Sequence, residues 1–193
     1  MGKQLLEMSL EELWELFPII LKEYNLQYKD WYEAEKQKIL KSIKAENIIR
    51  INHIGSSAVA GLISKPTIDI LLEIDGCSNV SQIIDDLGTI EWGLMSQEND
   101  PMKLVFHKGY TPDGFADKMY HLHVRYAGDW SELYFRDFLI AHPDVAAEYG
   151  KLKLKLWKKC EHNRDGYTKA KSDFIQKYSN AAKQEFQNRY KPR

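Results

Sequence analysis

Cysteine is nearly absent: two in 193 residues, Cys77 and Cys160, in unrelated contexts. That argues against a disulfide framework and for a reducing compartment, with both thiols incidental. Long apolar runs are missing too, since nothing approaches the roughly 20 residues needed to span a bilayer. The opening Met1-Gly2-Lys3-Gln4 has no apolar core of a signal peptide, and Leu6 stands where a myristoylation signal would want Ser or Thr. A cytoplasmic location without a membrane partner is expected. An excess of one charge is also lacking: Lys and Arg total 27 against 28 for Asp and Glu, a net charge of -1. Such a chain has no global field to attract nucleic acid, so no nucleic-acid partner is expected and any anion site must be local. Internal repeats and low-complexity tracts do not occur.

What the chain does have is 44% hydrophobic residues, enough to bury an ordinary core in one domain with a helical appendage. Ser9 and Glu12 form a capping box ahead of Leu10, Leu13, Trp14 and Phe17 at helical spacing, and Pro18 should break that helix near Phe17. A second helix is expected from about Asp30, burying Trp31, Ala34, Ile39, Leu40 and Ile43. From Ile48 the period changes to two. Val80 to Leu87 reads as a helix capped by Ser78 or Asn79 and stopped by Gly88. Thr89 to Met95 and Lys103 to Phe106 read as strands joined by the polar loop Ser96 to Pro101, with a turn over Tyr110 to Gly114. After Gly128 the pattern is helical: one helix from Trp130 closed by His142-Pro143, one burying Val145, Tyr149, Leu152, Leu156 and Trp157, and a last from about Gly166 to Arg189. Lys151, Lys153, Lys155, Lys158 and Lys159 read as a solvated basic face.

Two stretches carry chemistry. In the first, a β-branched strand runs into His53-Ile54-Gly55-Ser56-Ser57, followed by Lys65-Pro66-Thr67-Ile68-Asp69-Ile70-Leu71-Leu72-Glu73. A glycine without Cβ turns the backbone sharply and lets a ligand approach the following N–H groups, so phosphate is the obvious ligand for Gly55, Ser56 and Ser57. Lys65 either reaches that phosphate or lies in solvent. In the second, Tyr120, Leu122, Val124 and Tyr126 alternate with His121, His123 and Arg125, so one strand face is apolar and the other carries two imidazoles and a guanidinium. That polar face is either a solvated surface or part of a site.

His53-Ile54-Gly55-Ser56-Ser57-Ala58-Val59-Ala60-Gly61-Leu62-Ile63-Ser64-Lys65-Pro66-Thr67-Ile68-Asp69-Ile70 resembles the signature of the GrpB-like family. Tyr120-His121-Leu122-His123-Val124, Phe135-Arg136-Asp137-Phe138-Leu139, Ala141-His142-Pro143 and Tyr167-Thr168-Lys169-Ala170-Lys171 match it as well, in order, from about Tyr28 to Tyr178. The resemblance implies an α+β fold: a nucleotidyltransferase-like mixed sheet with flanking helices. It divides the chain into N-terminal helices over 1–27, a core over 28–128 and a helical part over 129–193. In the wider nucleotidyltransferase superfamily a Gly-Ser turn holds the triphosphate and an Asp-x-Asp pair holds divalent metal. By that likeness Gly55 and Ser56 are the turn and Asp69 the first, catalytic acid. The second acid is replaced by Leu71, and Glu73 lies roughly 13 Å along the strand, too far to share a metal; it reads as an exposed acid.

His121 and His123 project about 6.6 Å apart along one face, a spacing that can clasp a transition metal with Asp69 as third ligand. Alternatively His123 and Arg125 bind phosphate directly. Arg136, Lys169 and Lys171 would complete a cationic wall. Two functions follow as expectations. One is a transferase assisted by magnesium or a transition metal, acting on a nucleoside triphosphate and an unknown acceptor. The other is a degenerate module that binds a nucleotide or another phosphorylated small molecule without turnover. A structural role for the Trp-containing N-terminal helices is a third. Oligomeric state is not legible.

Overall fold

In the computed structural model, residues 5–192 are described; the first four residues, where the leader and myristoylation readings fall, and residue 193 lie outside the described residues. Strands β1 (Ile48–Ile54), β2 (Thr67–Ile74), β3 (Gly93–Asn99), β4 (Met102–Thr111) and β5 (Gly114–Tyr126) form one sheet in the order β1-β2-β5-β4-β3. The pair β2 and β5 is parallel and the other neighbours are antiparallel, so the sheet is mixed. The helices are α1 (Leu10–Leu16), α2 (Tyr28–Ser42), α3 (Val80–Gly88), α4 (Ser131–Ala141), α5 (Pro143–Cys160), α6 (Arg164–Lys169) and α7 (Ser172–Glu185). No helix among the described residues is long and apolar enough to cross a membrane.

Strand alternation sorts the two faces of the sheet. Ile68, Ile70, Leu72 and Ile74 of β2, with Tyr120, Leu122 and Val124 of β5 and Leu104 and Phe106 of β4, pack against Tyr32, Ile39 and Ile43 of α2 and Ile83 and Leu87 of α3. The opposite face carries Asp69, Leu71 and Glu73 beside His121, His123 and Arg125, paired in that register across β2 and β5. Over it stand the C-terminal helices, whose own core joins Tyr134, Phe135, Phe138, Val145 and Tyr149 to Val59 and Leu62.

Several local signals produce the expected elements. The Ser9/Glu12 capping box forms and α1 ends before Phe17; Asn79 caps α3. Other boundaries differ: β4 runs on to Thr111 and β5 starts at Gly114, so the turn expected over Tyr110 to Gly114 narrows to Pro112 and Asp113. Residues 89–92 are a turn and β3 starts at Gly93, so Ser96 to Asn99 belong to a strand that pairs with β4 and not to a loop. The last helix is two, because the chain breaks between Lys169 and Ser172. Within the expected 1–27 extension the chain past α1 is joined to the rest: Phe17 packs on Tyr110 and Phe115, Ile19 is buried, and Lys22 bridges Ser64.

Candidate functional site

Gly55 follows β1 at φ 69°, a conformation that side chains strain to adopt, and a Cβ there would collide with the Asp69 carboxylate. The turn thus brings Ser56 to the strand bearing Asp69. Both residues line an open cleft of ≈ 700 Å³ between the sheet and the C-terminal helices, together with His123, Arg125, Tyr149 and Ser179. Ser179 Oγ is buried there without a hydrogen-bond partner, a vacancy that a polar ligand can fill.

Asp69 anchors a relay across the sheet. Its Oδ1 lies 3.2 Å from His121 Nδ1, His121 Nε2 lies 2.9 Å from the Tyr110 hydroxyl, and Arg164 Nη2 donates to that hydroxyl at 2.8 Å. Burial pushes the Asp69 carboxyl up, but the His121 hydrogen bond and the charges of His121, His123 and Lys65 outweigh it and hold it at about 2. The carboxylate is ionised and, at 29% exposure, still reachable from the cleft.

Around it collect three amines. Lys153 of α5 is 2% exposed and donates to Ser56 Oγ at 3.0 Å and to the Ile63 carbonyl. Burial, with repulsion from Lys171 and Lys65 against attraction by Asp69, brings its amine down to about 7. Lys171, at the joint of α6 and α7 and 4.2 Å over the Tyr167 ring, is lowered to about 8 by burial and Lys65. Lys65 is lowered by burial and Arg164, and it opens on a neighbouring ≈ 330 Å³ cleft lined by Trp31 and Phe115. None of the three has a carboxylate within salt-bridge distance among the described residues. The cations inside the larger cleft are paired: Arg125 with Glu132 at 2.7 Å, Lys183 with Asp129 at 3.5 Å and Lys103 with Glu98 at 3.2 Å.

The structure brings Gly55, Ser56, Asp69, His121, His123, Lys65 and Lys171 to one region and sets other expected residues elsewhere. Ser57 is buried against His53, whose Nε2 lies 3.1 Å from its Oγ; burial lowers that imidazole to about 4. Arg136 is not part of a cationic wall: it donates to the His53 carbonyl at 2.9 Å, to Asp137 at 2.7 Å and to the Tyr190 hydroxyl at 2.9 Å. Lys169 is exposed. Glu73 is not an exposed acid but 0% exposed, ion-paired to Arg50 and accepting from the Gly128 N–H at 3.1 Å.

Lys153, read as one of a solvated basic face, is instead the buried member of that helix. It falls four and eight residues after Tyr149 and Val145, on the buried stripe of α5, and that spacing is the signal that could have found it. Tyr110 and Arg164 carried no such signal.

The expected trio Asp69, His121 and His123 is only partly assembled. Both His121 nitrogens are engaged, Leu71 between Asp69 and Glu73 is buried, and no group of three His, Cys, Asp or Glu among the described residues is arranged to hold a metal. A hard divalent cation wants several oxygen ligands. One carboxylate flanked by an apolar side chain does not fit a two-carboxylate magnesium site.

The chain and its fold have counterparts in other proteins. Glutamate-rich protein GrpB of Alkalihalophilus pseudofirmus is 32% identical over 166 residues, covering 84% of this chain and 94% of that protein. YqkA of Bacillus subtilis is 29% identical over 163 residues, covering 83% of this chain; the chain spans 46% of YqkA's length. The crystal structure of conserved protein GrpB from Enterococcus faecalis superposes with a TM-score of 0.75 at 27% identity, over 86% of this chain and 99% of that one. The Cid1 poly(U) polymerase, solved with Mg and 3'-dATP, shares the fold at a TM-score of 0.50 and 12% identity, over 83% of this chain and 51% of that one. With the family model for the GrpB protein matching residues 18–181, the chain belongs to the GrpB family.

Proposed function

We propose that this GrpB-family chain binds a nucleotide or another phosphorylated small molecule at the Ser56 and Asp69 end of its cleft, and that it does so without a two-carboxylate magnesium site. The observation that carries the reading is the trio Lys65, Lys153 and Lys171, three amines close enough to repel one another that share the single Asp69 carboxylate and form no salt bridge with it or any other acid among the described residues. Like charges held together out of water are costly, and an anion bound among them removes that cost. Ser56 Oγ and the unpartnered Ser179 Oγ add polar contacts. A relative in fold that is solved with 3'-dATP suits a nucleotide as the phosphorylated ligand.

Thermal melts with inorganic pyrophosphate and with ATP, each in excess EDTA, test it. Ligand at a hundred times its Kd should stabilise by about 2.7 kcal/mol, EDTA should not abolish the shift, and Lys171→Ala should reduce it. No shift with any of several phosphorylated metabolites would end the proposal.

Nucleotidyl transfer is the second reading, favoured by one observation: Asp69 is ionised and open to the cleft at the strand position that fits a transferase acid. It requires pyrophosphate release from a nucleoside triphosphate that drops in Asp69→Ala. Equal release by the two proteins would rule it out.

A further inference from the structure

Lys153 and Ser56 stand in a relation that anion binding alone does not need. A lysine that only attracts phosphate works best exposed and charged, on a flexible stem. Lys153 is buried, fixed by the Ile63 carbonyl, and directed at one hydroxyl, Ser56 Oγ, 3.0 Å away. Ser56, which also meets the Tyr149 hydroxyl, lines the ≈ 700 Å³ cleft. A neutral amine has two N–H donors and one lone pair, so it can donate to Ile63 and accept the Ser56 proton at once. A nucleophile within hydrogen-bond reach of a base that a third group orients is the arrangement by which serine is activated.

We propose that Ser56 and Lys153 form a nucleophile and base pair that takes up a phosphoryl group from a phosphate ester or anhydride, without a metal. The proposal rests on the anion-binding reading, since that ligand is what brings phosphorus to Ser56. As the Oγ–P bond forms, the Ser56 proton passes to Lys153 Nζ. The P–O bond to the leaving group breaks in line with the attack, its electron pair departs with the bridging oxygen, that oxygen takes a proton from water in the open cleft where it needs one, and Lys153 keeps the Ser56 proton as an ammonium until it loses it to solvent. Lys171 and Lys65, whose charges are felt at Lys153, add positive potential beside the phosphoryl group. The groups facing Lys153 set its protonation: Lys171 and Lys65 disfavour the charged amine, Asp69 favours it, and the amine sits 4.7 Å over the ring centroid of Tyr149 on the same helix. Burial leaves the amine at about 7, so a large fraction of it is free base near neutrality.

A biotin-tagged fluorophosphonate reports the same step, because Oγ bonds phosphorus as fluoride leaves. With the full chain, intact mass and peptide mapping should show one adduct, on Ser56, blocked by inorganic pyrophosphate. Its rate should rise with pH and level off above about pH 7 to 8, following the Lys153 amine. Ser56→Ala should give no adduct, and Lys153→Arg, which keeps a donor but cannot act as base, should label about a hundredfold more slowly. If Lys153→Arg does not fold, the wild-type profile decides: a rate climbing about tenfold per pH unit without a plateau is that of an unassisted serine and overturns the proposal. Absence of any Ser56 adduct also overturns it. Pyrophosphate stabilisation that persists beside absent labelling leaves the binding reading intact, so the two failures are distinguishable.

Discussion

Gly55 and Lys153 are the residues on which the site turns, and each makes a measurable demand. Alanine at Gly55 must adopt φ 69° and meet the Asp69 carboxylate. With ψ at -170°, this is a backbone region that only glycine adopts readily, and it alone costs a side chain about 1 to 3 kcal/mol. Gly55→Ala should therefore lower the urea midpoint by at least that equivalent and, by displacing Asp69, weaken phosphate-induced stabilisation. An unchanged midpoint would mean the turn is relaxed.

Lys153 predicts an inverted pH effect. Its amine is at about 7 in the fold against an ordinary 10.5. Between those values the unfolded chain holds a proton that the native amine has released, so the contribution of this group to stability rises with pH across that window. The full depression corresponds to roughly 5 kcal/mol. Lys153→Met, which removes a buried cation, should show its largest gain in Tm relative to wild type near pH 6, shrinking toward pH 9. A difference independent of pH would contradict it.

At the scale of elements, one of the links between sheet and C-terminal segment is a buried ion pair. Arg50 of β1 holds Glu73 of β2 and also donates to the Gly128 carbonyl at 3.0 Å and the Tyr190 carbonyl at 3.2 Å. Glu73→Gln leaves the guanidinium without its counter-charge, and since Arg50 is 27% exposed the cost falls at the low end for buried pairs, about 3 kcal/mol. Urea unfolding measures it, and a loss below about 1 kcal/mol would show that water replaces the partner. By contrast α1 buries no residue, so removing residues 1–16 should move Tm by only a few degrees, whereas Phe17→Ala, which opens a gap against Tyr110 and Phe115, should cost about 3 kcal/mol.

Elements were legible in the sequence wherever local chemistry sets them. The Ser9 capping box, Pro18, Asn79 and the alternation of Tyr120 to Tyr126 each specify their element through nearest neighbours. The start of β3 was not, because Ser96 to Asn99 carry polar side chains and are held as a strand by pairing with β4. The candidate site divides in the same way. Gly55, Ser56 and Asp69 belong to one continuous stretch and could be read together. Lys153, nearly a hundred residues from Ser56 in sequence, looked like its exposed neighbours Lys151 and Lys155. Its burial depends on α5 crossing the Gly55 turn, which a charge run does not reveal. Glu73 misled for the same reason, since its partner Arg50 lies on the neighbouring strand.

For the whole molecule, the sheet divides labour between its faces. One holds a continuous apolar core with α2 and α3, while the other carries Asp69 and its imidazoles under helices that deliver buried amines from a distant part of the chain. Membership in the GrpB family gives the fold, and a site departing from the two-acid pattern gives the function proposed for it.

On the function proposed for the cleft, the lysine cluster binds phosphate without metal, with Lys171, held at about 8, taking its charged form against the ligand while Lys153, held at about 7, stays free base beside Ser56. Calorimetric titration with ATP in EDTA near pH 8, where the terminal phosphate is fully ionised, in two buffers of different ionisation enthalpy, tests it most directly. Binding should take up about half a proton per ATP at pH 8, as Lys171 becomes fully charged. Binding without a buffer-dependent heat, or no binding until magnesium is added, would contradict it.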